Sequence, residues 1–267
     1  MLAGTIETMF RREDLAVLAA LVTLTALAWV AVLLGAGTGM DPAAMSGWLM
    51  PFGLPPSLSD EWSLAWWLIA FFMWATMMVA MMLPSASPMV LLYARVARQA
   101  ERERRMGNAS GKIAAFALAY LGLWILFSAL ATALQWGLEQ AGVMSAMMSS
   151  SVAPLSGALL IAAGLYQLTP LKSVCLKHCR APARFIAAHW RPGLRGAWHL
   201  GLVHGLYCIG CCAVLMLLLF VGGVMNLVWI AGLTLFVAIE KLAPFGERAA
   251  KGIAALLVAG GALLILT

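Results

Sequence analysis

Residues 200–221 read LGLVHGLYCIGCCAVLMLLLFV, a run without one Asp, Glu, Lys or Arg. As an α-helix it is about 33 Å long, enough to cross the roughly 30 Å hydrocarbon core of a bilayer. Six further apolar stretches, 15–34, 62–83, 113–134, 152–168, 224–239 and 250–266, have the same character. They are continuous rather than alternating, which excludes a membrane β-barrel. The expected fold is therefore all-α: a polytopic helical transmembrane bundle of about seven spans. Composition agrees. Of 267 residues 63% are hydrophobic and 10% charged, with mean hydropathy +0.94, whereas a soluble domain carries about 25% charge. Disorder is excluded by the same apolar excess.

The charges check this organisation. All 17 Lys and Arg residues fall in four places. Arg11 and Arg12 precede the first stretch. Arg95, Arg98, Arg102, Arg104, Arg105 and Lys112 follow the second, around a polar linker at 98–111. Lys172, Lys177, Arg180, Arg184, Arg191 and Arg195 lie between the fourth and fifth. Lys241, Arg248 and Lys251 lie between the sixth and seventh. Seven spans put all four on one side, and the positive-inside rule makes that side, with the N-terminus, cytoplasmic. The opposite side holds Asp41, Asp60, Glu61 and Glu139, with a loop at 51–56. The net charge of +6 thus belongs to membrane topology, not to nucleic-acid binding. Residues 1–14 form a cytoplasmic N-terminus and 15–34 a signal-anchor helix, longer than a cleaved signal's 7–15-residue apolar core. Cleavage there would leave six spans. Residues 62–267 make a single multi-pass domain in a cell (inner) membrane.

Three segments offer metal-ligand chemistry. In the fifth stretch His204, Cys208 and Cys211 fall on one helical stripe, with Cys212 and Met216 beside it. In the second, Met73, Met77 and Met81 form one column at i, i+4, i+8, with Met78 and Met82 beside it. Pro84 removes a helical hydrogen bond and frees the carbonyl of Ala80, and the helix is expected to continue, kinked, past Pro88 towards Tyr93. After the fourth stretch, Cys175 and Cys179 are spaced i, i+4 with His178 between them, among bases that favour thiolates. Packing is the plain alternative for each, since buried Cys and Met also serve as hydrophobes. Thiols, thioethers and imidazole are soft donors that suit Cu(I), with zinc second. Met40, Met45, Met50, Met144, Met147 and Met148 on the outer side form either a loose copper surface or an apolar rim. Glu240 and Lys241, adjacent on a helix, do not face each other. The pair Gly222 and Gly223 marks a tight helical hairpin. Paired zinc-knuckle spacing, a Ser-His-Asp order, a P-loop, a Rossmann fingerprint and an HExxH motif are all missing from the sequence.

Several runs together resemble a known family. They are Met73 to Pro84, Gly164 to Lys172 with Cys175 to Cys179, His204 to Cys212, and Gly223 to Asn226 with Glu240 and Lys241. In order and density they are similar to the bacterial predicted metal-binding integral membrane proteins, the domain of unknown function 2182. The resemblance covers about residues 66–246 and implies a multi-pass membrane protein with metal ligands.

The expected function is handling of a soft metal, foremost Cu(I) transport or transfer by exchange among Cys, Met and His ligands. A metal chaperone or assembly factor for another membrane protein is the second reading, and a membrane redox enzyme a third. The implied partners are the lipid bilayer, a metal ion and a partner membrane or metallochaperone protein.

Overall fold

A computed structural model describes residues 12–44, 46, 62–103, 107–144, 148–150 and 152–266. The expectations placed on Arg11, Met45, Met50, residues 51–56, Asp60, Glu61, Arg104, Arg105 and Met147 lie outside these. The described residues are helical, with no strand among them and one isolated antiparallel bridge between Met144 and Ser150. The helices are α1 (Arg12–Leu33), α2 (Leu64–Arg102), α3 (Ala109–Gln140), α4 (Ala153–Gln167), α5 (Pro170–Arg180), α6 (Pro182–His189), α7 (Gly193–Met216), α8 (Leu219–Gly222), α9 (Leu227–Leu242) and α10 (Gly246–Leu266).

Every apolar stretch is helical, but their lengths differ. Five helices are long and apolar enough to cross a membrane: α1, α2, α3, α7 with its extension into α8, and α10. The pair α4 and α5 makes a sixth when counted as one span bent by 62°. Pro170 starts α5 without an N–H to give, and the Thr169 side chain caps it by accepting from Lys172 N–H. At 16 residues α9 is about 24 Å long, shorter than the hydrocarbon core. Large apolar side chains lie exposed along these helices, among them Val22, Leu27, Leu118, Leu130, Leu256 and Leu263. Such an apolar exterior is compatible with lipid as the surrounding solvent.

The backbone signals read from sequence are used as follows. The helix α2 continues through Pro84 and Pro88 as far as Arg102. The carbonyl that Pro84 frees, Ala80 O, accepts a hydrogen bond of 3.1 Å from the Trp29 indole on α1. A cavity is thus not required to satisfy it. The polar linker expected at 98–111 is shorter than its composition implied. Arg98 to Arg102 extend α2, with Arg98 paired to Asp14 at 3.2 Å, and α3 begins at Ala109 under an Asn108 cap. Gly223 turns the chain at φ 93°, and Asn226 caps α9 through Val228 and Trp229 N–H. The expected tight turn is there, but α9 then packs on α2 more than back along α7.

Helix α2 packs on α1, α3 and α9, while α7 packs on α3 and α5. The pair α4 and α10 packs extensively. A Cβ built on Gly157 would meet Gly261 O at 2.6 Å, so the backbones touch there. Gly157→Val is expected to cost about 1–3 kcal/mol of overpacking and to lower the thermal midpoint in detergent. Gly260→Ala, which meets nothing within 4 Å, should not lower it. Equal midpoints for the two variants would contradict this packing.

Candidate metal centre

The thiols of two helices meet in the buried interior. Cys208, Cys211 and Cys212 lie on one face of α7 and are at most 1% exposed. Cys175 and Cys179, one turn apart on α5, both face α7. Cys179 Sγ stands 3.9 Å from Cys211 Sγ, and Cys211 Sγ stands 3.2 Å from Cys212 Sγ. Cys175 Sγ fills the notch at Gly210, where a Cβ would come within 2.7 Å of it. With metal–sulfur bonds of about 2.3 Å, a 3.9 Å sulfur separation corresponds to an S–metal–S angle of about 115°. The Cys179 and Cys211 pair therefore has the spacing of two ligands on one ion. Among the described residues no three His, Cys, Asp or Glu side chains are arranged to hold a metal ion together. What the fold assembles is a chain of thiol pairs.

Two side chains tie this cluster to α2, which carries the methionines. Lys241 on α9 places Nζ 3.0 Å from Cys208 Sγ and 3.2 Å from Ser85 Oγ. Tyr120 on α3 has its hydroxyl 3.2 Å from Cys208 Sγ and 3.4 Å from Met82 O. Met73, Met77, Met78, Met81 and Met82 are all 0% exposed and share one apolar core with the α7 cysteines and Met216. The second and fifth apolar stretches thus meet through α3 and α9. His204 is buried against the rings of Tyr120 and Phe116, with centroids 5.5 and 6.1 Å away. Its Nδ1 has no hydrogen-bond partner, so one buried nitrogen beside Cys208 is left available.

His178 is not brought to the thiols that flank it in sequence. Its ring stacks on Tyr207 at 4.1 Å and its Nδ1 bonds Val174 O at 2.8 Å. The reason is helical geometry, since a residue one position before Cys179 is turned about 100° away from it. At the opposite end, Met144 and Met148 are buried and Met40 is half-buried against the same core. Glu139 there accepts from the Trp62 indole at 2.8 Å and from Gln135 at 2.9 Å.

Sequence reasoning missed the charges. Lys172 and Lys241, placed in loops by composition, are 1% and 6% exposed. Lys172 Nζ bonds both carboxylate oxygens of Glu240, at 2.7 and 2.9 Å. Glu240 and Lys241 indeed do not pair, as their adjacency on α9 requires; each points to a different helix. Arg180, at the other end of α5, donates to the carbonyls of Glu240 and Ala243 at the end of α9. Both ends of the cysteine-bearing α5 are thereby clamped to α9. Two charges at the end of an apolar stretch are a weak signal for this, because solvated helix ends look the same. The Tyr120 hydroxyl carried no sequence signal at all.

A family model described as PpoB2, copper chaperone, matches residues 71–264. The chain belongs to this family. The match agrees with the metal-related character implied by the motifs and specifies copper. It extends beyond the segment of resemblance to include most of α10. Neither the curated proteins nor the solved structures contain a match to the chain.

Glu240→Leu would leave the Lys172 ammonium buried without its partner, a loss of about 3–5 kcal/mol. Thermal unfolding in detergent should show this as a large drop. The Lys172→Met/Glu240→Leu double variant should recover most of it. A single variant as stable as wild type would mean that the pair is not buried.

Proposed function

We propose that the chain is a membrane-embedded copper chaperone that takes Cu(I) into the thiol cluster of α5 and α7 and passes it to a partner membrane or metallochaperone protein. The reading places its basic loops and N-terminus in the cytoplasm. The observation that carries it is the approach of Cys179 to Cys211, residues 32 apart in the chain, at a separation of 3.9 Å. Copper is here the cargo. Cys179 and Cys211 hold it, Cys208, Cys212 and His204 offer exchange positions, and Cys175 lies next along α5.

The donor set favours Cu(I) over zinc. Thiols and thioethers are soft ligands, and Cys179 and Cys211 stand at the spacing of a two-ligand site, whereas zinc takes four ligands. The thioethers of Met73, Met77, Met78, Met81 and Met82 supply weaker sites beside the cluster, suited to release rather than retention.

Transport is the second reading, favoured by the burial of those five methionines in the same core as the cysteines. The two readings separate in proteoliposomes, where a chaperone retains copper without flux and a transporter accumulates it inside.

Protein as purified, before any copper loading, is expected to contain near-stoichiometric sulfur-bound copper by mass spectrometry and X-ray absorption, and this ion should be absent from Cys208→Ser/Cys211→Ser. Sulfur-bound copper unchanged in the variant, or zinc in its place in the wild type, would overturn the reading.

A further inference from the structure

Two imidazoles outside the thiol cluster share a cavity of about 270 Å³ where α5 meets α6. His178 Nδ1 lies 2.8 Å from Val174 O and His189 Nδ1 lies 3.0 Å from Phe185 O. A carbonyl oxygen only accepts, so both rings carry their proton on Nδ1. In a neutral ring Nε2 is then left with its lone pair. This is the arrangement that backbone carbonyls impose on metal-binding histidines. The rings are also held in place. His178 lies flat on Tyr207, 4.1 Å away and 7° from parallel, and His189 stacks on Phe185 at 4.6 Å. The two imidazole centres are 6.4 Å apart. With metal–nitrogen bonds of about 2.0 Å and a ring radius of about 1.2 Å, two imidazoles on one ion in a line stand about 6.4 Å apart.

We propose that His178 and His189 form a second, labile Cu(I) site, two-coordinate through Nε2, from which the ion moves to the thiols. The proposal rests on the copper reading above and adds a place of entry. His178 precedes Cys179 on α5, and the Tyr207 beneath it precedes Cys208 on α7, so the two sites adjoin along both helices. Two nitrogen donors are too few for zinc, which takes four ligands, and suit a soft ion that accepts two.

The charge around the cavity identifies how the ion arrives. Lys177 and Arg184 line it, and among the described residues no carboxylate does. Such a rim repels a bare cation and attracts an anionic complex. The ligand class is therefore Cu(I) held by two thiolates of a carrier, a complex of net charge −1 at the metal. In the exchange two Cu–S bonds break and two Cu–N bonds form. Copper stays Cu(I), and the carrier thiolates leave or take protons from water.

The test uses the full chain in detergent, loaded under reducing conditions with Cu(I) buffered by glutathione. Copper content and X-ray absorption are the readouts. The Cys208→Ser/Cys211→Ser protein should retain copper with a nitrogen first shell, and adding His178→Gln/His189→Gln should remove it. In the wild-type background the two histidine changes should lower copper by one ion per chain while the sulfur-bound ion remains. Copper content untouched by the histidine changes, or a nitrogen shell that survives them, would overturn the proposal. Failure of the thiol reading gives a different result, sulfur-bound copper that persists in the cysteine variant.

Discussion

One ammonium group holds the interior together. Lys241 Nζ reaches the Cys208 sulfur on α7 and the Ser85 hydroxyl on α2 from its own place on α9. A charge in an apolar interior needs a partner within bonding distance, since leaving it bare costs about 3–5 kcal/mol, a large share of the stability of most domains. That requirement fixes where α9 sits between α2 and α7, and with it the depth of Cys208. The Tyr120 hydroxyl repeats the link from α3. Met82, Ser85 and Cys208 are thus gathered by groups on helices other than their own.

The neighbouring residue on α9 does the same for the other thiols. Glu240 takes the Lys172 ammonium in a two-pronged bond, and Arg180 closes on the last carbonyls of α9. The helix α5 is short, at 11 residues, and would not hold its place by apolar burial alone. Anchored at both ends, it presents Cys179 to Cys211. Thiols then meet at ligand-pair spacing without a preformed three-ligand cage. A site of that kind suits a protein of a copper chaperone family, because cargo held by few ligands exchanges more readily than cargo enclosed by four.

Much of this could be read along the chain. Continuous apolar runs can only be helices, so the all-α class followed from composition and run length. Helical periodicity put Cys208 and Cys211 on one face and the methionines in columns, and both faces are buried. The Pro84 rule named the carbonyl of Ala80 as free, and that atom takes the Trp29 indole. Where the reading differed, a partner far along the sequence decided. Lys172 and Lys241 counted as loop charges because a base at the end of an apolar run is normally solvated. Their partners, Glu240 at 68 residues' distance and Cys208 at 33, exist only in the folded chain. His178 counted with the cysteines beside it, yet the helix turns it towards Tyr207.

The sequence by itself determined the helices, the buried faces and the softness of the donors, because each is set by residue type and by a local period of 3.6. The tertiary structure decided which donors meet. It bent the chain at Thr169 and Pro170, brought α5 against α7, and paired the buried charges of α9 with two different helices. The physical reason is range. Periodicity acts within a few turns, whereas a buried charge must find its counter-charge wherever the chain can bring one.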